Sequence, residues 1–233
     1  MEGRVPERTY ESVIQFIKRE ILCGRLQPGQ KLPPERNLAE SLMVGRNSVR
    51  EALRTLEILG VIESAQGAGN FVSCNFKKSL VESMSMMFAM QKTDYRQISE
   101  LRQALESQAI VLAADRITPA QVERLSKIFD GMTAGRDGRY GVTYDQKFHS
   151  MLAEASGNTL IIEILKALSA VVNTFISDLR RKILADGESR NRLQLSHQRM
   201  LESLKAKDGR GAYAAMAEHY EIVNQHIGDF SGK

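Results

Sequence analysis

From about Ser79 to the carboxy terminus, every segment long enough to carry a period repeats its apolar residues at helical spacing, and none shows the alternation of a half-buried strand. A chain patterned in this way buries its apolar stripes only by packing helix on helix. Residues 79–233 are therefore expected to form an all-helical antiparallel bundle of six or seven helices. The segments fall at about 80–90, 94–115, 118–134, 140–155, 159–184, 190–206 and 209–228. Breaks separate them at Thr118-Pro119, Gly135 to Gly138, Ser156-Gly157-Asn158, Asp186-Gly187 and Asp208-Gly209.

Residues 1–78 read differently. Val13, Ile14, Ile17, Ile21 and Leu22 mark one amphipathic helix that stops at Gly24. The stretch Gln27 to Pro34 breaks regular structure, and Pro34 can open a short second helix containing Leu38, Ala39 and Leu42. A third helix carries Val49, Ala52, Leu53 and Leu56 on one face, with Arg46, Asn47, Arg50 and Arg54 on the other, and ends at Leu59-Gly60. Val61 to Ser64 and Asn70 to Val72 then form two short strands about a glycine-rich turn. Three helices and a small β-hairpin wing describe a winged helix-turn-helix, so the whole chain is expected to be mainly α, with domains at 1–78 and 79–233.

Composition sets wide bounds. At 42% hydrophobic and 26% charged residues the chain can bury a core, and its net charge of +4 is too small to name a partner. Distribution is more informative, because residues 1–78 hold 12 Lys/Arg against 9 Asp/Glu, whereas residues 79–233 hold 20 against 19. No apolar run reaches the length of a bilayer span, and the amino-terminal MEGRVPERTYES lacks the apolar core of a secretory signal. Cys23 and Cys74 form no CxxC pair. These features predict a cytoplasmic protein with no membrane partner.

In a helix-turn-helix the second helix of the pair crosses the major groove, where side chains near its start reach base edges and others grip phosphates. Arg46 and Asn47 stand at that start, suited to guanine and adenine respectively; Ser48 can reach a phosphate or a base, and Arg50 lies one turn on. Arg36 and the backbone of Gln66-Gly67 would approach the adjoining backbone or minor groove. On spacing alone, a solvated arginine face remains an equal reading. The runs Leu26-x-Pro28-Gly29-x-Lys31-Leu32-Pro33-x-Glu35-Arg36-x-Leu38-Ala39, Val49-Arg50-Glu51-Ala52-Leu53-x-x-Leu56 and Gln66-Gly67-x-Gly69-x-Phe71-Val72 resemble the DNA-binding domain of GntR-family regulators. That resemblance implies that Arg36, Arg46, Arg50 and Gly67 contact double-stranded operator DNA. The family usually has Ser or Thr where this chain has Gly45, so a phosphate contact or helix cap is expected to be missing.

All four histidines, His149, His197, His219 and His226, lie in the helical part. Asp145 and His149 are four residues apart and so share a helix face, as two ligands of one metal would. His197 and His219 come from two later helices, and three helices of a bundle can aim side chains at one point. An aspartate with three imidazoles suits Zn²⁺ first and Ni²⁺ second, with positions left for water or a ligand oxygen. Taken singly, each histidine reads equally as a surface or hydrogen-bonded core residue. Asp145-x-x-Phe148-His149, then Ser156-Gly157-Asn158, His197 and His219, resemble the FCD domain of the FadR-type subgroup, which implies that Asp145, His149, His197 and His219 bind a metal. His226 matches no family ligand. Glu100-Leu101-Arg102-x-x-Leu105-Glu106 resembles the first helix of that domain, where Arg102 would receive an acidic effector; its alternative is an ion pair with Glu106.

The function expected is a homodimeric, ligand-responsive transcriptional regulator, a repressor, whose effector is a small organic acid bound near the metal. A fatty acyl-CoA is the alternative effector, disfavoured by the complete ligand set. A metal-dependent hydrolase is a different class, disfavoured because the chain has no HExxH, GxSxG or P-loop pattern. A non-specific nucleoid protein is a third reading, separated by whether binding depends on sequence as well as salt.

Overall fold

The computed structural model describes residues 9–74, 77–91, 94–134 and 138–228. The chain divides into two compact units, Met1–Glu82 and Ser83–Lys233.

The first unit is built on three helices and a hairpin. Helix α1 (Thr9–Leu22) buries Val13, Ile14 and Ile17 and is packed on α3 (Arg46–Ile58), which offers Val49, Ala52, Leu53 and Leu56. Between them α2 (Glu35–Leu42) contributes Leu38 and Ala39. Pro34 stands one residue outside α2, at its N-cap, because its extended ψ of 147° cannot continue into the helix. After α3 the chain reverses at Gly60, whose φ of +71° lies in the left-handed region that glycine adopts without a Cβ clash. Strands β1 (Ile62–Ala65) and β2 (Gly69–Val72) pair antiparallel, with Ile62 opposite Val72 and Ala65 opposite Gly69. Their buried ends, Ile62 and Val72, join the helical core. Burying each such aliphatic side chain contributes about 1.5–3 kcal/mol.

Helix α4 (Lys77–Gln91) spans the division between the units, which falls four residues beyond the boundary expected from the sequence. Seven helices follow: α5 (Tyr95–Arg116), α6 (Pro119–Ala134), α7 (Gly138–Ala155), α8 (Thr159–Val171), α9 (Asn173–Ala185), α10 (Gly187–Lys205) and α11 (Gly209–Ile227). Short polar residues open them. Asp94 forms a capping box with Gln97, while Asn158, Asp186 and Asp208 accept backbone N–H groups of α8, α10 and α11. The expected break at Gly135 to Gly138 lies largely outside the described residues. Ile110, Leu125, Phe148, Leu152, Met200, Leu204 and Met216, drawn from five helices, form the main core.

One expected element divides. The periodicity over 159–184 predicts a single helix, but the chain bends by 80° at Val172, where φ −109° and ψ 19° leave the helical region. Packing explains the bend. Leu165 and Leu168 of α8 lie against Ala109 and Ala153, whereas Phe175, Ile176, Leu179 and Ile183 of α9 lie against Ile98, Leu193 and Ile222. The bend at Val172 lets consecutive residues serve both clusters. No single helix among the described residues is long and apolar enough to cross a membrane.

Candidate functional site

Helix α3 opens on the residues predicted to read DNA. Gly45 occupies its N-cap and no side chain hydrogen-bonds to the first turn, as the glycine at this position foretold. Arg46, Asn47, Arg50 and Arg54 are exposed and Ser48 is half-buried, because Val49, Ala52, Leu53 and Leu56 commit the opposite face to the core. Arg50 Nε donates to Glu35 Oε2 at 2.8 Å, across the junction of α2 and α3. Arg36 is exposed in the first turn of α2, 3.6 Å from Glu40. Gly67 sits exposed at the wing tip with φ +75°.

The second site is interior. His149 on α7, His197 on α10 and His219 on α11 fall on the apolar stripes of their helices, between Phe148 and Leu152, Leu193 and Leu201, and Met216 and Tyr220. Packing those stripes brings the three rings together. They are 6%, 0% and 1% exposed, and one ring nitrogen from each lies within 4.8 Å of the others. Asp145, one turn before His149, is also buried and places Oδ1 3.3 Å from His197 Nε2. Phe148 closes one wall edge-on to His197, ring centres 5.0 Å apart. His226 stays outside the cluster, its Nδ1–H donating to the Ile222 carbonyl at 2.9 Å.

Neighbouring groups orient the rings. Glu106 Oε2 lies 2.7 Å from His149 Nδ1, which places a proton on Nδ1 and turns Nε2 toward His197 Nε2 at 3.3 Å. Ser196 Oγ donates to the Leu193 carbonyl at 2.7 Å and is free to accept from His219 Nδ1–H at 3.4 Å, which again directs Nε2 elsewhere. Burial, then the charges of His149 and Arg180, hold His197 well below the ordinary imidazole range. Burial and the other two histidines do the same for His219.

Neutral imidazoles with converging lone pairs beside a carboxylate are the donor set of a borderline divalent cation. In a tetrahedral zinc site two nitrogen ligands lie about 3.4 Å apart, so the three ring nitrogens, within 4.8 Å of one another, would draw together around an ion. The histidines present fit a metal ion. His149, His197 and His219 would hold it, with Asp145 adjacent.

Two buried arginines border this centre. Arg102 on α5 donates to Glu106 Oε1 at 2.6 Å and to Ser169 Oγ at 3.2 Å. Glu106 thus bridges Arg102 and His149. Burial pushes its carboxyl upward, but His149 and Arg102 outweigh burial and hold it well below the carboxylate range. Arg180 on α9 pairs with Asp145. Burial, then repulsion from Arg102, pushes Arg180 down to about 9, so it remains a cation at neutral pH. Arg102, Arg180, His219 and Tyr220 help to line a pocket of about 450 Å³ including its mouth, whose remaining lining is largely aliphatic.

The sequence pattern had not singled out Arg180 or the bridging role of Glu106. The signal was present in part. Arg180 interrupts the stripe Ile176, Leu179, Ile183, and Glu106 interrupts the stripe that continues through Ala109, Ile110 and Ala113. A charged residue on an apolar face is buried with a partner or marks a site.

Comparison with known proteins agrees with this division. Residues 9–72 match the family described as bacterial regulatory proteins, gntR family, and residues 97–222 match the FCD domain. The chain is 33% identical over 209 residues to the HTH-type transcriptional regulator LutR of Bacillus subtilis (strain 168), covering 89% of this chain and 95% of LutR. It is 30% identical over 229 residues to the Uxu operon transcriptional regulator of Escherichia coli (strain K12), covering 97% and 89%. Among solved structures, Streptococcus agalactiae GntR superposes with a TM-score of 0.67 at 29% identity, covering 93% of this chain and 99% of that one. A winged helix-turn-helix joined to an FCD domain, with relatives aligned over nearly the whole length, places this chain in the GntR family of DNA-binding transcriptional regulators, in its FadR-type branch.

Proposed function

We propose that this regulator is a homodimeric, cytoplasmic repressor whose hold on palindromic operator DNA is released by a small carboxylate bound beside a divalent metal ion, zinc first and nickel second. The observation that carries the reading is the buried cluster of His149, His197 and His219, of which His219 lines the same pocket as Arg102. A cation and a guanidinium in a partly dry pocket form a carboxylate receptor. When bound, the metal supplies Lewis acidity and positive charge for an acid oxygen. Arg102 orients the acid, Glu106 keeps both Arg102 and His149 in place, and Phe148 excludes water behind the rings.

In the reading head, Arg46, Asn47 and Ser48 face the major groove, Arg50 and Arg36 engage the neighbouring bases and phosphates, and Gly67 lets the wing backbone approach DNA closely. A two-fold dimer supplies two such heads to two half-sites. Operator binding measured by fluorescence anisotropy on zinc-loaded and chelator-treated protein tests the reading. A panel of small carboxylates should weaken binding only when zinc is present. Equal response of both preparations, or footprinting of a single half-site by a monomer, would overturn it.

A further inference from the structure

A small acid seated on Arg102 leaves Arg180 without a role, although a buried guanidinium is retained against a substantial desolvation penalty. We propose that Arg180 is a second anion receptor of this pocket, holding Asp145 while no cation claims that carboxylate and taking a second acid group of the effector once one does, so that the effector is a small aliphatic dicarboxylate. The proposal rests on the metal-and-acid reading above and narrows its ligand class.

Three observations carry it. The first is charge. Arg102 and Arg180 are each paired with one carboxylate, Glu106 and Asp145, so these ion pairs leave no surplus negative charge for a cation. A divalent cation adds two positive charges in a region where uncompensated charge is costly. One carboxylate cancels half of that excess, and two cancel all of it. The second is partnership. Arg102 already divides its donors between Glu106 and Ser169, whereas among the described residues Arg180 has Asp145 as its one ion-pair partner. Asp145 is also the carboxylate nearest the histidines, 3.3 Å from His197 Nε2, so Arg180 and a cation compete for it. The third is the wall. Ile98, Leu179, Ile183 and Val223 line the pocket between its polar groups. The methylenes of a diacid fit that aliphatic lining.

The test uses the zinc-loaded full-length protein, with succinate and glutarate set against butyrate and valerate in thermal-shift and calorimetric titrations. The diacids should bind at least about tenfold more tightly than the monoacids of equal length, the increment of one charge-assisted pair. Arg180→Gln should abolish that advantage and leave monoacid binding within about twofold. It should also strengthen zinc binding in competition with a chromogenic chelator, since the competitor for Asp145 is gone. Arg180→Lys keeps the charge with less disruption, and should lose most of the diacid advantage at unchanged zinc affinity; it decides the matter if Arg180→Gln does not fold. Equal binding of monoacids and diacids, or an intact diacid preference in either variant, overturns the proposal while leaving the metal-and-acid reading in place. Failure of every carboxylate to bind zinc-loaded protein overturns both.

Discussion

The two units use arginine in opposite ways. In the first, Arg36, Arg46, Arg50 and Arg54 stand in water, and a pair such as Arg50 with Glu35, whose side chains are 67% and 37% exposed, forms in a solvent that also competes for both partners. In the second, Arg102 and Arg180 are nearly sealed from solvent and each is matched to a carboxylate. Water makes the difference. An exposed guanidinium exchanges a surface carboxylate for a phosphate at little cost to folding, which suits a surface that must take up and release a polyanion. A buried one must be paired before any ligand arrives, and in the helical unit Glu106 and Asp145 supply that pairing.

The comparison breaks most sharply at Glu106. Glu106→Ala should strand Arg102 and unseat His149, destabilising the helical unit by about 3–5 kcal/mol in urea titrations. A loss no larger than that of a surface substitution would mean that the centre is wetter than its burial indicates. Next in size, His197→Ala or His219→Ala should reduce zinc affinity by more than the roughly 10–100-fold typical of losing an outer hydrogen-bond partner, whereas His226→Ala should leave it unchanged. Metal content after dialysis against a calibrated chelator reads this directly.

Acid should separate the two units. His197 and His219 are depressed below their ordinary value of 6.5 in the folded protein, so below about pH 6.5 the unfolded chain takes up protons that the folded chain refuses. Their neutral burial is therefore free of penalty above that pH and destabilising below it. Metal-free helical unit should lose about 1–3 kcal/mol between about pH 7.5 and 5.5, while the first unit, which has no histidine, should not shift.

Smaller effects belong to the reading head. Arg46→Ala or Arg50→Ala should each weaken operator binding by about 1–3 kcal/mol at fixed salt, without altering zinc content or helicity. Unchanged affinity in both would remove them from the reading surface. The smallest effect is expected for Glu35→Ala, the exposed counterpart of Glu106→Ala, which should change folding stability by less than about 1 kcal/mol. A loss approaching that of Glu106→Ala would erase the contrast between the units.

Legibility in the sequence followed the range of the physics. The breaks at Asp186 and Asp208, the turn at Gly60 and the helical stripes are local, and most element ends lie within three residues of where the pattern placed them. Asp145 and His149 were readable as a pair because one helical turn separates them. The bend at Val172 was not, since Val171-Val172-Asn173 contains neither proline nor glycine and only the two clusters on either side require it.

By itself the sequence determined the helical class, the winged reading head and that Asp145 and His149 share a helix face, because period and turns act over one or two turns of chain. Only the tertiary structure decided that three of the histidines meet, that Glu106 spans Arg102 and His149, and that Arg180 reaches Asp145. Apart from Arg102 with Glu106, which are one turn apart, these contacts join residues 22 or more positions apart through the angles at which α5, α7, α9, α10 and α11 pack. Packing angles follow from how whole faces interlock, a property that no local spacing encodes.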